Sequence, residues 1–234
     1  MARRDPVPFT LAGARAGARA ITAFAASTVL YGLAFGVLAD QAGLDLTAAL
    51  MMSALVNSGS AQIVALQIWA EPIPLVALLI AIFGMNARYL LMGAALRPWF
   101  ARLSRPRAYG SLFFMGDANW LQAMGEWAAG RRDGAFLVGG GLALYAAWLG
   151  GTLLGHRLGR AIGAPEAWGL DFLLVAFCAS MAVSLWRGRG DLWPLVAAAA
   201  SAIAVHWALP GPWYILAGGL AGSLTAAWRH EPVA

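Results

Sequence analysis

At 234 residues, 61% hydrophobic and only 12% charged, the chain is too apolar for a soluble domain and long enough for one compact helical membrane domain. A formal net charge of +5 invites a nucleic-acid partner, but all sixteen basic residues are arginines. They cluster between apolar segments, as in a multi-pass protein of a lipid bilayer, so no nucleic acid is expected. The single cysteine, Cys178, sits in an apolar segment, which excludes an internal disulfide or a zinc site; no metal or cofactor is expected.

Met1–Arg19 is a short basic leader carrying Arg3, Arg4, Arg15 and Arg19. Ala20–Ala39 follows and is too long for a signal-peptide core, so it is expected to remain as the first transmembrane helix, with Gly32 and Gly36 spaced for close helix packing. The acidic turn Asp40-Gln41-Ala42-Gly43-Leu44-Asp45 holds no arginine and should face away from the cytoplasm. Thr47–Ile68 is apolar at both ends but interrupted by Asn57-Ser58-Gly59-Ser60-Ala61-Gln62. Six small or polar residues exceed what helix packing needs. The stretch reads better as an unwound or re-entrant segment whose free N–H groups line a cavity.

Pro72 and Pro74 precede the apolar run to Leu96, whose centre is Asn86-Ala87-Arg88. An arginine there costs at least ~2.5–3.5 kcal/mol on insertion scales, so it either snorkels, pairs, or meets a ligand in a hydrated cavity. Arg97, Arg102, Arg105 and Arg107 then mark the strongest cytoplasmic loop. Ala108–Trp127 is the next apolar segment, and it contains Gly116-Asp117-Ala118-Asn119. Asp117 lies about 15 Å of helix beyond Arg107, near mid-membrane, where so short a side chain cannot snorkel. It must be protonated, paired with a group such as Arg88, or hydrated.

Gly134–Gly155 ends in a Gly151-xxx-Gly155 packing spacing, and His156, Arg157 and Arg160 read as a polar loop. Gly169–Trp186, Asp191–Leu209 and Gly211–Trp228 complete the set, the last with Gly218 and Gly222 four apart. Most tryptophans sit near segment ends, as an interfacial belt; Trp120 and Trp148 are interior exceptions. The fold expected is therefore an all-α polytopic membrane protein of seven or eight helical segments, some broken or re-entrant, in one domain spanning 1–234. Gly43-Leu44-Asp45 is echoed by Gly169-Leu170-Asp171, and Pro74-Leu75-Val76 by Pro194-Leu195-Val196, which points to repeats over 20–128 and 134–228. If every segment crosses, the arginines outside the spans divide nine to six between the two sides. If the second and sixth do not cross, all but two fall on one side and the halves become inverted repeats, which suits a transporter.

Leu33-Ala34-Phe35-Gly36-Val37-Leu38-Ala39, Gly59-Ser60-Ala61-Gln62 and Asn86-Ala87-Arg88-Tyr89-Leu90-Leu91-Met92-Gly93 resemble the AzlC family of branched-chain amino acid permeases. The resemblance covers about Phe9 to Trp186. It implies a multi-pass exporter of leucine, isoleucine and valine in the bacterial inner membrane, N-terminus cytoplasmic, working with a small membrane subunit of the AzlD type. Family members commonly carry His where this chain has Tyr89, Tyr where it has Met92, and Thr-Asp-Glu where it has Gly116-Asp117-Ala118.

A zwitterionic substrate needs a cation or free N–H groups for its carboxylate, an acceptor for its ammonium and an apolar pocket. Arg88 or the backbone around Ser58–Ala61 serves the first need, Asp117 or Asn86 the second, and Met51, Met52, Phe83 and Met85 the third. The candidate binding set is thus Asn57, Ser58, Gly59, Ser60, Gln62, Asn86, Arg88 and Asp117, with no catalytic residues. Two rivals are a hydrolase pairing Ser58 or Ser60 with His206, and a non-transporting membrane subunit or channel.

Overall fold

The computed structural model describes residues 7–69, 72–162, 188–209 and 213–229, with isolated positions between 163 and 187. Every element among them is helical. In order they are α1 (Leu11–Ala20), α2 (Thr22–Gln41), α3 (Leu46–Leu55), α4 (Gly59–Gln67), α5 (Leu75–Asn86), α6 (Arg88–Phe100), α7 (Arg105–Phe113), α8 (Asp117–Ala128) and α9 (Ala135–Ile162). A 3₁₀ turn (Arg189–Asp191) then leads into α10 (Leu192–Ala208), followed by α11 (Trp213–Arg229). Four stretches among the described residues are long and apolar enough to cross a membrane: Thr22–Gln41, Leu78–Phe100, Ala135–Gly159 and Arg189–Ala208. The chain is an all-α polytopic membrane protein.

Its spine is the pair α2–α9. Gly32 and Gly36 lie against Gly151, Thr152 and Gly155, and a Cβ at Gly32, Gly36, Gly151 or Gly155 would fall under 3.0 Å from the partner's backbone. Lipid gives no hydrophobic drive to helix association, so this backbone-to-backbone approach is what gains dispersion contact. Residue numbers rise together along the seam, so the two helices run in the same direction. α1 extends it, with Gly17 on Phe136 and Gly139 on Ala14.

The polar loop expected at His156, Arg157 and Arg160 is instead the last stretch of α9. His156 finds partners at the end of α2 and the turn after it. His156 Nε2 lies 2.8 Å from the Leu44 carbonyl and 3.9 Å from Asp40.

The broken segment after α2 folds back on itself. Asp45 caps α3 by accepting from the Ala48 amide at 2.7 Å. The helix then descends along α9, with Ser53 and Thr152 hydroxyls 2.9 Å apart and the Tyr145 hydroxyl donating to the Ala54 carbonyl. α4 returns the way α3 came: Leu44 and Leu66, at the two far ends, pack on one cluster of Phe35, Ala39, Ala49 and Ile63. The pair is a re-entrant hairpin with its tip at Val56-Asn57-Ser58, so the second segment does not cross.

A second hairpin was not anticipated. Ala108–Trp127 is not continuous; α7 stops at Phe113 and α8 starts at Asp117. Both outer ends lie near Phe9 and Asp133, with Arg107 over the Phe9 ring and Trp127 stacked on Trp99. Between the hairpins α5 and α6 cross the bundle, ending where the Trp99 indole donates to the Arg132 carbonyl at 2.9 Å.

Residues 11–128 thus hold a span and a hairpin entering from one end, then an opposite span and a hairpin entering from the other. The duplication expected between 20–128 and 134–228 falls partly on 163–187, including the segment Gly169–Trp186 and Cys178, most of which lies outside the described residues. α10 and α11 pack antiparallel, Gly218 and Gly222 against Ala198.

Candidate functional site

The two hairpin tips meet in the middle of the bundle. Asn57 donates to the Phe113 carbonyl, and Tyr145 of α9 sets its ring edge-on to Phe113 and Phe114. Arg88 begins α6, halfway along Leu75–Phe100, and Asp117 begins α8 directly after its cap, Gly116. One guanidinium nitrogen, Nη2, lies 2.9 Å from Asp117 Oδ2 and 3.4 Å from Ser60 Oγ. The guanidinium also sits 5.3 Å from the centre of the Tyr89 ring. Arg88 therefore does not snorkel. It ties the crossing helix to both hairpins at once.

Stability alone does not account for this pair. A contact of this kind gains about 4 kcal/mol at 4 Å and an effective dielectric of 20. Bringing each charge to the membrane centre costs roughly 2.5–3.5 kcal/mol or more. The two costs together exceed the gain, as for many buried pairs. The side chains also remain 31% and 29% exposed, so the pair is not sealed from its surroundings.

The other sequence-derived candidates divide into two groups. Ser58 caps α4 without a side-chain hydrogen bond, and its hydroxyl is buried with no partner. Asn86, the last residue of α5, likewise has a buried Oδ1 without a partner. Gly59 opens α4 with the Trp148 ring occupying the place a Cβ would take. Gln62, by contrast, faces into its own hairpin: Nε2 donates to the Met52 and Val56 carbonyls at 3.3 Å each, and Oε1 accepts from the Trp148 indole. It holds the hairpin closed, away from Arg88.

Of the apolar candidates, Met51 and Phe83 point outward and are exposed, and Met52 packs on the spine cluster. Met85, like Met52, is half-buried. His206 meets Tyr214 edge-on between α10 and α11.

Sequence reasoning passed over Asn119, which shapes the second tip. Its Oδ1 accepts from the Gly116 amide at 2.7 Å, while Nδ2 donates to the Phe114 and Leu137 carbonyls. That closes the turn presenting Asp117. The signal available was an asparagine at the third position of a helix opened by Gly-Asp, a capping-box spacing. The two tryptophans outside the interfacial belt carried another. Trp148 donates to Ser53 and Gln62, and Trp120 to the Met92 carbonyl at 3.1 Å.

The chain matches the family described as AzlC protein over residues 23–162, which contain the spine, both hairpins and the Arg88–Asp117 pair. It belongs to the AzlC family. This family is associated with branched-chain amino acid transport rather than with catalysis. No curated protein and no solved structure matches the chain.

Proposed function

We propose that this AzlC-family chain is a secondary carrier that exports branched-chain amino acids across the bacterial inner membrane, with its arginine-rich end in the cytoplasm. The observation that carries this reading is the Arg88–Asp117 pair, held at mid-depth where hairpins from opposite ends touch. An amino acid zwitterion brings one positive and one negative group, and so can replace this pair without leaving a bare charge in the membrane. Displacing either hairpin tip would open the site toward one end of the bundle only, which is the geometry alternating access requires. Arg97, Arg102, Arg105, Arg107, Arg131 and Arg132 gather at one end, Asp40 and Asp45 at the other, which supports the orientation.

A small AzlD-type membrane subunit completes the carrier in this reading. The support for it is the family membership.

The test is flux of labelled leucine into proteoliposomes, with and without the small subunit. Saturable uptake competed by isoleucine and valine is the expected result. Unsaturable flux instead indicates a channel, and no flux in either preparation indicates a non-transporting subunit.

A further inference from the structure

The carrier reading leaves undecided which group meets the substrate's carboxylate. Arg88 is the obvious choice, yet its Nη2 is already engaged by Asp117 and Ser60, which leaves its buried Nε without a partner. The first turn of α4 offers the alternative. A helix leaves the N–H groups of its first turn unpaired, and the macrodipole adds a partial positive charge there. In α4, nine residues long, the Gln62 amide already donates to the Ser58 carbonyl, whereas Gly59, Ser60 and Ala61 have no acceptor among the described residues.

A serine before a helix normally folds its hydroxyl back onto one of these amides. Ser58 does not, although it occupies that position. It is only 7% exposed and its hydroxyl lies buried without a partner. An unmet buried hydroxyl is costly in a protein. Three free amides and one free hydroxyl thus share the tip of a hairpin at mid-membrane depth, next to the Arg88 guanidinium that meets Ser60.

Resting on the carrier reading above, we infer that the N-terminus of α4 is the seat of the substrate carboxylate, with the Ser58 hydroxyl donating to one oxygen and the Gly59–Ala61 amides facing the other. Ser58 is thereby a specificity residue that distinguishes an α-carboxylate from a neutral group. Arg88 lends charge from the side. Because the hydroxyl is covered in this structure, the seat becomes available when the Asn57–Phe113 tie between the tips opens.

The test is equilibrium binding of L-leucine and L-leucinamide to the purified full chain in nanodiscs, with the small subunit present. In leucinamide a neutral carboxamide replaces the carboxylate, while the α-amino group and the side chain are kept. Ser58→Ala should weaken leucine about tenfold and leave leucinamide unchanged, as befits one hydrogen bond to a charged group. Ser58→Gly, also favourable at a helix cap, should repeat the result. Either variant binding leucine like the wild type, or losing both ligands equally, overturns the seat. So does loss of folding in both, since a hydroxyl without a partner cannot hold the fold. A wild-type chain that binds no amino acid overturns the carrier reading itself, an outcome distinct from a wild type that binds leucine regardless of Ser58.

Discussion

Along the spine, glycines let α2 and α9 touch backbone to backbone; at the hairpin junction, a few polar side chains hold three elements at a distance. The spine contact has one workable geometry, because any side chain added to it meets main chain. The junction rests on hydrogen bonds that average only about 0.6 kcal/mol each in membranes. Asn57 to Phe113, Arg88 to Ser60 and Arg88 to Asp117 can each be exchanged for a bond to substrate or water. The difference separates frame from moving part. In the proposed carrier, α2 and α9 are the fixed wall and the hairpins the pieces that shift.

Gly155→Leu or Gly36→Leu should break the frame outright. The expected result is aggregated or unfolded protein in detergent, seen as loss of a monodisperse peak and of a thermal transition. Either variant remaining folded and active would show that the spine can separate. Arg88→Ala and Asp117→Asn should act on the junction alone. Leucine flux falls to background, while the protein remains folded and inserted, because the side chains are partly exposed rather than sealed. Normal flux in either single variant would make that residue a structural partner only.

Sidedness sharpens the same division. In a background lacking Cys178, Asp45→Cys and Ile73→Cys should label from one side of the membrane, and Arg102→Cys and Gly130→Cys from the other. Asp45 and Ile73 labelling from opposite sides would mean that the α3–α4 segment crosses. A milder effect is expected from a pH gradient. If Asp117 exchanges a proton as its pairing with Arg88 opens and closes, one coupled proton multiplies leucine accumulation by up to about tenfold per pH unit. Equal flux with and without the gradient, at fixed membrane potential, would sink proton coupling. The smallest effect belongs to Gly150, one residue from the seam, where an added Cβ meets nothing within 4 Å. Gly150→Ala should stabilise α9 by roughly 0.5–1 kcal/mol, readable as a small rise in the thermal midpoint.

The features legible in the sequence are those written in composition. The run of polar and small residues from Asn57 announced the first hairpin tip, and Gly32-xxx-Gly36 with Gly151-xxx-Gly155 announced the seam, though not that each faces the other. The second tip, Phe114-Met115-Gly116, carries almost no polarity. Its turn is closed by Asn119 reaching back to Gly116 and Phe114, and across to Leu137 on α9, a tertiary contact no local pattern contains. His156, Arg157 and Arg160 misled in the opposite direction. Their charge suggested a loop, but the helix continues because His156 finds Leu44 and Asp40 across the seam. For the site, the residue types were readable and their partners were not. Gln62 looked like a ligand group until its amide was seen to be spent within its own hairpin.

The parallel seam has a consequence for how the chain is made. At about 5–20 residues per second, a ribosome needs roughly 6–24 s to travel from Gly32 to Gly151. Through that interval the glycine face of α2 has no partner, while both hairpins and the α5–α6 span are emerging. Lipid or the insertion machinery must cover the face and then yield it to α9. Biogenesis of the frame therefore finishes after the parts it is meant to hold, and a nascent chain stalled before α9 would present an open groove rather than a half-built bundle.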